Sequence, residues 1–111
     1  KYINGISSAV IPAELPEGML DTIRQLAIRA YQAIDCAGLS RVDFLVNQEG
    51  SAIYLNEINT MPGFTKISMY PKLWAASGIS YQELIDRLIE FALDRHKERL
   101  SSVHLYQRKN T

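Results

Sequence analysis

Arg41-Val42-Asp43-Phe44-Leu45-Val46-Asn47-Gln48-Glu49-Gly50-Ser51-Ala52-Ile53-Tyr54-Leu55-Asn56-Glu57-Ile58-Asn59 is the stretch on which the fold turns. Two runs rich in β-branched and aromatic residues flank a polar, glycine-bearing turn, which is the signature of an antiparallel hairpin. The spacing predicts strands over 40–46 and 52–59. A three-residue loop, Gln48-Glu49-Gly50, joins them, with Gly50 in the left-handed conformation. That loop pairs Asn47 with Ser51, Leu45 with Ile53, Asp43 with Leu55 and Arg41 with Glu57. Side chains alternate along a strand, so Arg41, Asp43, Glu57 and Asn59 share one face, with Asp43 diagonal to Glu57. Val42, Phe44, Val46, Tyr54 and Ile58 take the other face, which is expected to pack on helices. A one-residue slip would send the polar groups of the two strands to opposite faces.

Upstream of the hairpin, Leu20, Ile23, Leu26, Ala27, Ala30, Tyr31 and Ile34 recur at helical spacing. They predict a helix over 17–36, with Pro16 in its first turn and Gly38 at its stop. Ahead of it, Tyr2-Ile3 and Ala9-Val10-Ile11 read as short strands, and 12–16 is a breaker-rich connection. Downstream, Pro62-Gly63 breaks the second strand at once. Residues 71–77 read as a short helix stopped by Gly78. Ser80 and Glu83 make a capping box, with Ile79 and Leu84 placed for a hydrophobic staple. The helix that follows is expected to bury the stripe Leu84, Ile85, Leu88, Ile89, Ala92 and Leu93. Arg95, His96, Lys97 and Arg99 sit near its end, where positive charge is favoured. The fold class is α+β, an antiparallel sheet packed by helices, over residues 1–100. A polar, aperiodic tail, 101–111, is expected to fray.

The chain has 111 residues, enough for one domain, with 47% hydrophobic and 22% charged residues. Its net charge of zero argues against electrostatic capture of nucleic acid or of an anionic membrane. Cys36 is the single cysteine, so no internal disulfide forms and a reduced, cytosolic setting is the default. No apolar run approaches the roughly 18 residues of a membrane span. No signal peptide is visible. The sequence opens Lys1-Tyr2-Ile3 without Met and in mid-strand, so it is expected to be the C-terminal part of something longer.

The polar face carries the chemistry. Asp43, Glu57 and Asn59 are poor strand residues gathered at the ends of adjacent strands. As surface residues of a half-exposed sheet they need no further role. As a set, oxygen ligands beside a glycine loop suit Mg²⁺, which holds phosphates through one or two carboxylates and keeps several waters. Arg41 is either a structural counter-ion to Glu57 or a planar cation for a phosphate or developing oxyanion. Gly63 is either a turn residue or a place where a backbone N–H approaches a reacting carbonyl. Ser68, ahead of Met69-Tyr70-Pro71, reads as an N-cap, compatible with an anion at the helix N-terminus. His96 and His104 lie in the last helix and tail and are not expected to be catalytic. Cys36 has no His near it in sequence and reads as packing, and Trp74 and Tyr81 read as core or interface. Walker A, G-x-G-x-x-G, paired-cysteine zinc and G-x-S-x-G patterns are absent.

Taken together, Arg41-Val42-Asp43-Phe44, Leu55 through Thr65 and Ser68-Met69-Tyr70-Pro71 resemble the C-terminal part of D-alanine–D-alanine ligases. These are ATP-grasp enzymes of peptidoglycan precursor synthesis. The resemblance covers about Lys1 to Leu93 and implies the C-terminal lobe of an ATP-grasp fold. It implies ATP and two magnesium ions, or manganese, as cofactors. Asp43, Glu57 and Asn59 match the metal ligands, with Glu57 bridging. Arg41 and the Gly63 N–H match groups that stabilise a tetrahedral intermediate. Ser68 and the Met69 backbone match the site for the second D-alanine's carboxylate. Lys1 and Tyr2 match a mobile-loop pair, Lys1 near the transferred phosphate and Tyr2 closing the substrate site. Related D-alanine–D-lactate ligases depart at Tyr2, which favours a dipeptide product. Asn56 falls where the family lines its nucleotide pocket. The partners implied are D-alanine and ATP, in a bacterial cytoplasmic homodimer whose contact lies mostly upstream. The alternatives are another ATP-grasp carboxylate–amine ligase, or a non-catalytic module that binds a structural cation.

Overall fold

The strands form where the alternation places them, but their pairing differs from the simple hairpin. A computed structural model describes residues 8–109 of the chain. The order of elements is α1 (Met19–Ala33), β1 (Arg41–Val46), β2 (Ile53–Asn59), α2 (Met69–Ala76) and α3 (Tyr81–Lys109). β1 and β2 form a two-stranded antiparallel sheet. The described chain divides into two compact units. One holds residues up to Cys36 with Ser40–Met61, and the other Ala37–Leu39 with the residues from Pro62 onward. The Tyr2-Ile3 strand lies outside the described residues. Ala9-Val10-Ile11 is not a strand.

In the first unit the hairpin loop is one residue longer than expected. Gly50 is left-handed as anticipated, at φ 69°. Ser51, however, belongs to the loop. The Asn47 N–H donates to the Ala52 carbonyl at 3.2 Å, so the ladder closes on Ala52. The Asn47 side chain completes the turn. Its Oδ1 accepts the Ala52 N–H at 2.9 Å, and its Nδ2 donates to Ser51 Oγ at 2.9 Å. The pairs that follow are Val46 with Ile53, Leu45 with Tyr54 and Phe44 with Leu55, a one-residue slip from the expected register.

Alone, that slip would have separated the polar groups. A β-bulge reverses it. The register shifts between Asp43 and Phe44, Asn56 is left out of the ladder, and pairing resumes as Asp43 with Glu57, Val42 with Ile58 and Arg41 with Asn59. Glu57 and Asn59 thereby return to the face of Arg41 and Asp43, and Asp43 stands directly opposite Glu57 rather than diagonal to it. Tyr54 lies between the slip and the bulge, so the slip alone acts on it and its expected face changes. It pairs with Leu45 on the polar face, where the two are 61% and 60% exposed, and Leu55 takes its place opposite Phe44.

α1 packs against both strands. Met19 is its buried residue, and Ile23, Leu26, Ala27, Ala30 and Tyr31 are half-buried, as the helical spacing requires. Leu20 and Ile34, expected on the same stripe, are exposed. The helix begins two residues later than expected because Pro16 and Gly18 form a turn ahead of it, in which the Pro16 carbonyl accepts the Met19 N–H. It ends before Gly38. The Cys36 N–H bonds to the Tyr31 carbonyl and the Asp35 N–H to the Gln32 carbonyl, a Schellman closure with Asp35 at φ 51°. A left-handed side-chain-bearing residue costs about 1 kcal/mol, so Asp35→Gly is expected to raise stability by about that amount. A urea unfolding midpoint reads it directly.

Gly50 is constrained twice over. Besides its φ, a Cβ there would lie 2.7 Å from Pro16 Cγ and 3.0 Å from Met19 Cε. The proline ring cannot swing away, so Gly50→Ala is expected to lower stability by about 1–3 kcal/mol in the same assay.

In the second unit α2 packs on α3, with Tyr70, Pro71 and Leu84 buried; of the rest of the expected α3 stripe, Leu88 is half-buried and Ile85, Ile89, Ala92 and Leu93 are exposed. Gly78 closes α2 as expected, its N–H donating to the Ala75 carbonyl and the Ile79 N–H to the Trp74 carbonyl. Half of the capping box forms. The Glu83 N–H donates to Ser80 Oγ at 3.2 Å, while the Glu83 carboxylate turns to Arg87 at 2.6 Å instead of reaching back. α3 continues to Lys109, past the point where the apolar stripe ends; Ser101 and Ser102 bond back to the Glu98 carbonyl. No helix among the described residues is long and apolar enough to cross a membrane.

Candidate active site

Two groups of the anticipated residues come together, one in each unit. On the hairpin, Arg41 donates to Asp43 through both arms of its guanidinium, Nε to Oδ1 at 2.8 Å and Nη2 to Oδ2 at 2.9 Å. Its Nη2 is 3.7 Å from Glu57 Oε1. The expected counter-ion was Glu57; the tight partner is Asp43, because the observed register moves Arg41 across from Asn59. The hydrogen bond to Asp43 raises the guanidinium pKa further. Burial opposes it, and the charges of Asp43 and Glu57 add to it. The like charges of Asp43 and Glu57, directly across the ladder, are thus held beside one shared cation.

Among the described residues no group of three or more His, Cys, Asp or Glu side chains gathers. The hairpin donors are two carboxylates and one amide, all oxygen. Asn59 Oδ1 accepts the Met61 N–H at 3.1 Å, which fixes the amide's orientation and leaves a lone pair on the same oxygen. Arg41 likewise occupies one lone pair on each Asp43 oxygen. An all-oxygen set with open lone pairs and solvent access fits a hydrated hard cation. Asp43, Glu57 and Asn59 are the residues that could hold it. Asn56, in the bulge, is exposed.

In the second unit the Gly63–Ser68 segment folds into a turn ahead of α2. Ser68 occupies the N-cap position at φ −71°, ψ 150°, yet its hydroxyl makes no cap bond. Its Oγ instead accepts the Thr65 N–H at 3.1 Å and lies 2.8 Å from Thr65 Oγ1. Gly63 shows no left-handed φ. Its constraint is room, since a Cβ would stand 3.0 Å from Ser68 Oγ. Tyr81 pins the turn from α3, donating its hydroxyl to the Phe64 carbonyl at 2.6 Å. The Phe64 ring lies 5.4 Å from that of Tyr81 and 5.7 Å from that of Tyr70. Burial pushes the Tyr70 phenol pKa up, and a hydrogen bond with Trp74 opposes the shift. Met69 begins α2. Lys1 and Tyr2 lie outside the described residues.

Sequence reasoning missed the grip of Thr65 on Ser68 and the tether from Tyr81. A Thr three residues before a helix-capping Ser was the available signal for the first. The second spans 17 positions and leaves no local trace.

The family model for the D-ala D-ala ligase C-terminus matches residues 1–90. The chain belongs to the D-alanine–D-alanine ligase family. A D-alanine–D-alanine ligase from Acetivibrio thermocellus is 56% identical over 100 residues, covering 90% of this chain and 27% of the relative. One from Ruminiclostridium cellulolyticum is 60% identical over 100 residues, covering 88% and 27%. The D-alanine–D-alanine ligase of Coxiella burnetii superposes with a TM-score of 0.83 at 46% identity, over 87% of this chain and 28% of that one. A Bacillus anthracis ligase complexed with ATP matches with a TM-score of 0.70 at 36% identity, over 78% and 30%. The chain therefore spans about 27% of the length of the curated ligases it matches. The α+β fold expected from the hairpin and helices agrees with these ligases.

Proposed function

We propose that this chain serves as the C-terminal portion of a bacterial, cytoplasmic D-alanine–D-alanine ligase, which joins two D-alanines at the expense of ATP for peptidoglycan precursor synthesis. The observation that carries the reading is the polar hairpin face. Asp43 stands opposite Glu57, with Arg41 and Asn59 beside them, in a chain of this family.

In this scheme the carboxylate of one D-alanine attacks the γ-phosphorus of ATP, releasing ADP and forming an acyl phosphate. The amine of the second D-alanine then attacks the acyl carbon, and phosphate leaves from the tetrahedral adduct. Asp43, Glu57 and Asn59 would hold magnesium, which would neutralise phosphate charge and orient the transfer. Arg41, kept in place by Asp43, faces the charge that moves onto phosphate and acyl oxygen. The Gly63 N–H is a backbone donor suited to charge that develops on an acyl oxygen. Ser68 and the Met69 N–H hold the carboxylate of the second D-alanine, which fixes its amine for attack. Lys1 and Tyr2 act at the phosphate and the substrate entrance, and Asn56 lines the nucleotide pocket. The working enzyme is a homodimer.

The test is phosphate release by the full-length enzyme with ATP and D-alanine as the only substrates. Release with another amino acid but none with D-alanine would refute the assignment. The 111-residue chain by itself is expected to release no phosphate above background, since it spans about 27% of the length of the ligases it matches. Turnover by this chain alone would contradict the scheme.

A further inference from the structure

We propose that Thr65 is a positioning residue for the acceptor amino acid's carboxylate, an inference that rests on the assignment of that carboxylate to Ser68. The Thr65 N–H can only donate, and it donates to Ser68 Oγ at 3.1 Å. The Thr65 hydroxyl lies 2.8 Å from the same oxygen, with either able to donate. A hydroxyl oxygen has two lone pairs and one hydrogen. A carboxylate accepts and does not donate, so its arrival selects one arrangement. Thr65 Oγ1 donates to Ser68, both Ser68 lone pairs are filled by Thr65, and the Ser68 O–H is turned outward to the anion. Ser68 is free to serve because its hydroxyl makes no cap bond to α2. The absence of a side chain at Gly63, whose Cβ would stand 3.0 Å from Ser68 Oγ, leaves room for this arrangement.

Thr65→Val keeps the backbone donor and the branched shape and removes only the hydroxyl. Steady-state kinetics of the full-length enzyme test it, with the two D-alanine constants separated by the two-site rate law and Ser68→Ala marking which belongs to the acceptor. Ser68→Ala is expected to raise that constant about 10- to 100-fold, the worth of a hydrogen bond to a charged group. Thr65→Val is expected to raise the same constant about 3- to 10-fold. Its kcat and its KM for ATP should stay within about twofold of the parent, and Thr65→Ser should restore the parent value. Thr65→Ala, which relieves any packing strain that valine introduces, is expected to behave as Thr65→Val. An acceptor constant unchanged in both Thr65→Val and Thr65→Ala, while Ser68→Ala raises it, would overturn the role of Thr65 and leave Ser68 in place. Failure of Thr65→Ser to recover would overturn it as well. If Ser68→Ala moves neither D-alanine constant, the carboxylate assignment itself falls.

Discussion

Glu57→Ala in the full-length enzyme is expected to lower kcat for ATP- and D-alanine-dependent phosphate release on the order of a thousandfold, the scale of losing metal-borne charge stabilisation. Glu57 is the residue for this test because its location is decided by the bulge and its cost to folding is small. Its side chain is 55% exposed and makes one long contact, 3.7 Å from Arg41. Removing an exposed carboxylate that faces Asp43 leaves stability within about 0.5 kcal/mol. A collapse of activity with an unchanged unfolding midpoint therefore reports on the site. Glu57→Gln separates charge from shape, since it keeps the side chain's length and one oxygen. It is expected to lose most of the same activity. Full activity in Glu57→Ala would remove the metal assignment from the hairpin.

Arg41→Ala is expected to reduce kcat by about 100- to 1,000-fold, the range seen when one preorganised donor to a developing oxyanion is lost. Two effects add. The fork proposed to face the reacting oxygens disappears, and Asp43 and Glu57 are left opposite each other without their shared cation. Arg41→Lys distinguishes geometry from charge. A lysine ammonium cannot reproduce the two parallel bonds that Arg41 makes to Asp43 at 2.8 and 2.9 Å. Little recovery is expected. Recovery of most activity in Arg41→Lys would mean that only the positive charge matters and that the bidentate grip has no role in catalysis.

Asp43 shows how much of this site was legible in the chain. Its presence on one face with Arg41, Glu57 and Asn59 follows from strand alternation, and the structure agrees. The route to that result differs. The expected three-residue loop put all four residues on one face with no irregularity. The observed loop slips the register by one, and the bulge at Asn56 slips it again. Two departures cancel at the polar end of the hairpin, while at Tyr54, between them, only the first acts and the side chain changes face. A bulge has no residue signature of its own here, since Asn56 would serve equally in a regular ladder.

What the sequence by itself determined is local and periodic. It set the helical stripe of α1, the two strand runs, the left-handed Gly50, the stop at Gly78 and the motif residues that carry the family. Each depends on residues a few positions apart, whose preferences are expressed before any packing. Only the tertiary structure decided the pairing of Asp43 with Glu57, the preference of Arg41 for Asp43, the tether from Tyr81 to Phe64 and the use of the Ser68 hydroxyl. The first two follow from how the hairpin closes and bulges, which is a property of the paired strands. The tether depends on α2 and α3 packing around an aromatic cluster that joins positions far apart in the chain. The Ser68 hydroxyl had two short-range partners to choose from, the N–H groups of α2 and Thr65, and the folded turn settled the choice.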